Sequence, residues 1–107
     1  MTLRVLVVED DAAIRALLQS ALSVEGFEVQ TAASLSEASA MLRHAPPDLV
    51  LLDLGLPDGD GAELVRQVRQ QHTLPIIVVS ARHQEAQKIQ LLDAGAVRVI
   101  ERRTHPR

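Results

Sequence analysis

Short apolar runs of strand length recur along this chain, and stretches with helical spacing separate them. No other feature constrains the fold as much. LRVLVV (3–8), DLVLLD (48–53), PIIVVS (75–80) and VRVI (97–100) have strand length, and EVQTA (28–32) is a weaker fifth run. Between the first and the fifth of these lies DAAIRALLQSALSVEG. It places Ile14, Leu17, Leu18, Ala21 and Leu22 at i, i+3, i+4, i+7 and i+8, the spacing of one helix face. Gly26 is placed to end that helix. SEASAMLRHA repeats the pattern with Leu35, Ala38 and Leu42, opened by Ser34 and Glu37 as a capping box. AELVRQVRQQ offers Leu64, Val65 and Val68, and EAQKIQLLDAG reads as a partly exposed helix closed by Gly95. Pro46, Pro47 and Pro75 mark strand starts. The order β-α-β-α-β-α-β-α-β predicts an α/β fold, a parallel sheet with helices on both faces. Near-continuous apolarity at 5–8, 49–52 and 76–79 agrees, because parallel strands are buried on both sides.

A chain of 107 residues suffices for one domain and is too short for two. It shows no internal repeat, low-complexity tract or linker. A hydrophobic content of 47% excludes a disordered chain. The single aromatic, Phe27, argues against a stacking platform for nucleic acid. A net charge of −3 argues against a basic footprint for DNA or RNA. The absence of cysteine excludes disulfide and thiolate chemistry and fits a cytoplasmic location. LRVLVVED reaches its acids after too short an apolar run for a secretion signal, and no stretch approaches a membrane span, so no membrane association is expected.

In an open parallel α/β sheet, ligands gather at the carboxyl ends of strands near the switch point. Two runs here end in acids, the first in Glu9-Asp10-Asp11 and the third in Asp53. If the strand order is the doubly wound 2-1-3-4-5, those strands are neighbours, and Glu9, Asp10 and Asp53 share one pocket. Two carboxylates about 5 Å apart repel by roughly 3 kcal/mol at an effective dielectric near 20. A cation is therefore expected, and Mg²⁺ suits hard oxygen ligands that leave room for water and a phosphate. An aspartate can also act as a nucleophile and form an acyl phosphate, whose charge a bound Mg²⁺ would offset. Singly, each acid has a plainer role: Asp10 or Asp11 as a helix cap, Asp53 as a turn residue. Their joint placement points to a site. The acids of PDGDG do not match a calcium loop. Ser80, before Ala81, closes the fourth run. Its hydroxyl could meet a phosphoryl oxygen, although a strand-closing serine is ordinarily only a cap. His44, His72, His83 and His105 lack ligand spacing and read as surface residues, and Arg66 and Arg69 read as a solvated helix face.

Taken together, VVED, LLDLGLPDGDG, VVSAR and LDAGA resemble the receiver domain of bacterial two-component response regulators, over residues 3 to about 96. DLGLPDGDG, with SAR and LDAGA, is similar to the Kdp-type regulators of potassium transport, transcription factors with a winged-helix DNA-binding domain after the receiver. The resemblance implies a flavodoxin-like, doubly wound five-stranded parallel sheet of order 2-1-3-4-5. It implies Asp53 as phosphoacceptor and a Mg²⁺ site of Glu9, Asp10, Asp53 and the Gly55 carbonyl. Ser80 and the backbone of Ala81 would contact the phosphoryl group. A sensor histidine kinase would supply that group, and phosphorylation would favour a homodimer that controls transcription. The chain would be no enzyme beyond phosphoryl uptake and slow self-dephosphorylation.

After LDAGA the family continues with two acids, an aromatic and a Lys-Pro pair, whereas this chain reads VRVIERRTHPR. Val97 and Arg98 stand in place of the acids, and Val99 in place of the switch aromatic. Arg102 takes the position of the phosphoryl-contacting lysine, for which arginine is no equivalent. The expectation is a single receiver domain over 1–107, atypical from about 97, without a fifth helix or a DNA-binding effector domain. Another chain would then cover the bare sheet face, through a dimer or a swapped element. Two other readings stand beside it. One is a folded but signalling-defective receiver. The other is a Mg²⁺-dependent aspartyl-phosphate phosphohydrolase. It is disfavoured because those enzymes resemble D-x-D after the first strand, while here Gly55 follows Asp53 on the third.

Overall fold

The five apolar runs become five strands: β1 (Arg4–Val8), β2 (Glu28–Ala32), β3 (Leu49–Asp53), β4 (Ile76–Ser80) and β5 (Arg98–Glu101). Among the described residues three helices alternate with them, α1 (Ala12–Val24), α2 (Leu35–His44) and α3 (Gly61–Gln71). The computed structural model describes residues 2–53, 61–71, 73–80, 92, 95 and 98–101. All strands are parallel, in the order β2-β1-β3-β4-β5. This is the doubly wound arrangement, with β3 in the middle and β1 and β4 beside it. Most of EAQKIQLLDAG and everything after Glu101 lie outside the described residues, and with them the helix expected at 85–95 and the expected lack of a fifth helix.

The two faces of the sheet are closed unequally. Side chains alternate along a strand. Leu6, Val8, Val50, Leu52, Ile76 and Val78 therefore share one face, where they form a single core with Ala38 and Leu42 of α2 and Ala62, Leu64, Val65 and Val68 of α3. On the other face, the register aligns Val7, Leu51 and Ile77. Val5 and Val7 are buried there, but Leu49, Leu51, Ile77 and Val79 are only half-buried.

The apolar stripe of α1 is only partly covered: Ile14, Leu18 and Leu22 are half-buried. No residue of α1 is buried, and Leu17 is 68% exposed. The reason is width. Strands lie about 4.8 Å apart, so a five-stranded sheet is roughly twice as wide as a helix of about 10–12 Å. Among the described residues α2 and α3 pack on one face and α1 on the other. Beside α1 a groove of about 220 Å³ persists, lined by Ile14, Leu17, Leu18, Val7, Leu51 and Val79 among others.

Helix ends follow the sequence closely. Asp11 caps α1, its Oδ1 accepting from the Ile14 N–H at 3.0 Å. At the other end Gly26 has φ +97°, Gly26 N–H donates to the Ser23 carbonyl and Phe27 N–H to the Leu22 carbonyl, a Schellman motif. At α2 the Ser34 hydroxyl accepts from the Glu37 N–H at 3.1 Å. The return bond differs from the expected capping box, because Glu37 accepts from Ala33, one residue ahead of the cap.

The two arginines of α3 also part company. Arg66 is exposed and pairs with Glu63 at 3.4 Å. Arg69, read from sequence as solvated, is half-buried, and its Nε donates to the Gly95 carbonyl at 3.0 Å. His44 is exposed as expected, and His72, His83 and His105 lie outside the described residues.

Candidate functional site

The site is built by strand register. β1 and β3 run side by side with Val8 opposite Leu52, so the next residue of each, Glu9 and Asp53, comes to the same edge. Both are buried, Glu9 2% exposed and Asp53 7%, and they are the buried charged residues among those described. Asp10 is exposed. One carboxylate oxygen from each of Glu9, Asp10 and Asp53 lies within 4.8 Å of the others. Asp53 stands opposite Val79 on β4, so Ser80 closes that strand one residue further along the same edge. Gly55, Ala81 and Arg102 lie outside the described residues.

The turn from β1 into α1 is wired by hydrogen bonds. Glu9 N–H donates to the Ala32 carbonyl at 2.9 Å, which carries the β1–β2 ladder one step further. The Glu9 carboxylate accepts from the Asp11 N–H at 3.1 Å. Asp11, spent on the helix cap, is not part of the acid cluster. The ambiguity between Asp10 and Asp11 is thereby resolved: Asp11 caps and Asp10 faces the cluster. One participant was not singled out from the sequence. Arg15 extends back along α1, and its Nη1 donates to the carbonyls of Glu9 at 2.8 Å and Asp10 at 3.2 Å. The available signal was a cation one turn into a helix whose cap lies in the acidic loop.

Chemically, the cluster offers three hard oxygen donors, two of them sequestered and one at the surface. That set fits Mg²⁺, which keeps several waters and takes few carboxylates. Without a cation the same closeness is repulsive. The N-terminus of α1, whose peptide dipoles favour negative charge, begins within this loop.

Residues 5–107 match the response regulator receiver domain family. The chain is 50% identical over 92 residues to the KDP operon transcriptional regulatory protein KdpE of Escherichia coli (strain K12), an overlap of 86% of this chain and 41% of that protein. It is 46% identical over 96 residues to the transcriptional regulatory protein KdpE of Staphylococcus aureus (strain NCTC 8325 / PS 47), covering 90% of this chain and 42% of that one. The chain thus spans about two-fifths of the length of these curated relatives. Among solved structures it resembles a CheY-like response regulator receiver domain protein from Methanospirillum hungatei JF-1. The TM-score is 0.91 at 31% identity, over 99% of this chain and 86% of that one.

Proposed function

The chain belongs to the response regulator receiver domain family, and from that membership we propose that it is a phosphoacceptor switch in which Asp53 takes up a phosphoryl group beside a Mg²⁺ held by Glu9, Asp10 and Asp53. The observation that carries this reading is the convergence of those three carboxylates, from two separate strand ends, to within 4.8 Å.

The donor is a phosphohistidine of a sensor histidine kinase. A carboxylate oxygen of Asp53 attacks phosphorus, the P–N bond breaks, its electron pair stays on the imidazole, and an acyl phosphate forms on Asp53. Mg²⁺, when bound, offsets the negative charge of the acids and of the incoming group. Glu9 is held in place by the Asp11 amide, whereas Asp10, at the surface, leaves room for water. The Gly55 carbonyl completes the proposed ligand set. Ser80 and the Ala81 amide are the proposed phosphoryl contacts, with Arg102 at the position of the family's lysine.

The relatives above are transcriptional regulatory proteins. For this protein we accordingly propose transcriptional control in the cytoplasm through phosphorylation-dependent homodimerisation, with any DNA contact made by an effector region outside the receiver. Intact mass after incubation with Mg²⁺ and acetyl phosphate tests the chemistry. A labile phosphoryl adduct is expected, absent with EDTA and absent in Asp53→Asn. No adduct on a folded, Mg²⁺-binding chain would refute the role of Asp53.

A second reading is favoured by Val99. It lies in β5 opposite Val78, at the position where the family has its switch aromatic. Here the chain accepts the phosphoryl group but passes on little of it as dimerisation. Sedimentation of the phosphorylated chain separates the two, since an unchanged monomer supports the second reading.

A further inference from the structure

The loop between β1 and α1 carries two of the three carboxylates proposed to hold Mg²⁺, so whatever fixes its backbone fixes them. Glu9 is anchored through its own amide and carboxylate. Asp10 is exposed, and its peptide carbonyl is gripped instead by Arg15. We infer that Arg15 is a positioning residue for the cation site, its Nη1 holding the successive carbonyls of Glu9 and Asp10 at 2.8 and 3.2 Å. The inference rests on the reading of Glu9, Asp10 and Asp53 as a Mg²⁺ site.

Two effects of the guanidinium oppose each other. Its charge repels a nearby cation, while its hydrogen bonds order the loop that binds the cation. Arg15 is half-buried, and its Nη1 is engaged on carbonyl oxygens whose dipoles oppose its charge. Ordering is therefore the larger effect. Salt separates the two. Repulsion between groups that reach water is screened beyond about 10 Å at 0.1 M salt and about 3 Å at 1 M, whereas hydrogen-bonded loop geometry is not.

Mg²⁺ alone, titrated into the chain and followed by the amide resonances of Glu9, Asp11 and Asp53, tests this at low and high salt. Partners outside the ligand shell typically change metal affinity by about 10–100-fold, and a grip on the backbone belongs at the lower end. Arg15→Met is expected to weaken Mg²⁺ binding about tenfold at both salt concentrations, or about 1.4 kcal/mol. Arg15→Lys should fall between, and amide exchange at Glu9 and Asp11 should quicken in Arg15→Met before any metal is added. Unchanged affinity in a folded Arg15→Met would overturn the inference. So would tighter binding that returns to the unaltered value at high salt. If Arg15→Met does not fold, Arg15→Lys carries the test, and an affinity equal to the unaltered chain's overturns it. Failure of the unaltered chain to bind Mg²⁺ sinks the site reading and the inference together, whereas binding that ignores Arg15 sinks the inference alone.

Discussion

Gly26 and Gly95 both sit at positive φ, +97° and +120°, yet they answer to different neighbours. A Cβ on Gly26 would meet nothing within 4 Å, while one on Gly95 would lie 2.5 Å from Cγ of Arg69. Gly26→Ala should therefore cost only the backbone strain of a left-handed residue, about 1–2 kcal/mol. Gly95→Ala should cost more, and Arg69→Ala should relieve the excess. A double-mutant cycle by urea denaturation is expected to show a coupling of about 1 kcal/mol between the two positions. Equal costs for the two glycine changes would contradict the close approach. At this scale the sequence is only partly legible. A helix closed by Gly26 can be read from spacing, because the cap and its carbonyls are local. Arg69 and Arg15 cannot, because each finds a backbone carbonyl, which every residue carries and no spacing marks. In sequence Asp10 and Asp11 are equal candidates for the cap, and the turn geometry gives it to Asp11.

Between helices the difference is one of cover. Leu64 of α3 is 3% exposed inside the core, whereas Leu17 of α1 is 68% exposed beside the groove. Leu64→Ala is expected to destabilise by about 2–5 kcal/mol, the range for a buried leucine. Leu17→Ala should stay within about 0.5 kcal/mol. Chemical denaturation of both checks this, and a large loss at Leu17 would show that the α1 side is more tightly closed than its exposure indicates. Periodicity revealed that α1 has an apolar stripe. It could not reveal how much sheet that stripe must cover, because sheet width depends on strands remote in sequence. The strands themselves were legible to within a residue or two, since continuous apolar runs such as VLVV and LVLL have no other use in a chain this short.

The whole molecule joins its acids only when folded. Glu9 and Asp10 follow the first strand and Asp53 ends the third, so the unfolded chain holds no such cluster. A cation that binds the folded form alone stabilises it, by about 2.7 kcal/mol at a hundredfold excess over Kd. Thermal melting is therefore expected to shift upward with added Mg²⁺ and back with EDTA, and the shift should shrink in Asp53→Asn. A melting temperature indifferent to Mg²⁺ would count against the site. The adjacency of β1 and β3 could be anticipated from the alternation of elements together with a known winding order. The distances that make the adjacency chemical could not, because they depend on the register of Val8 against Leu52.

The unequal sheet faces have a mechanical consequence. Hydrostatic pressure favours whichever state eliminates internal voids. Here a groove of about 220 Å³ lies under α1, while the described residues on the α2–α3 side form one buried core. Compression would therefore not melt the two halves together. Water would be driven in beneath α1 first, next to Glu9 and Asp53, and the acid-bearing end of the sheet would loosen while the opposite layer still held its shape.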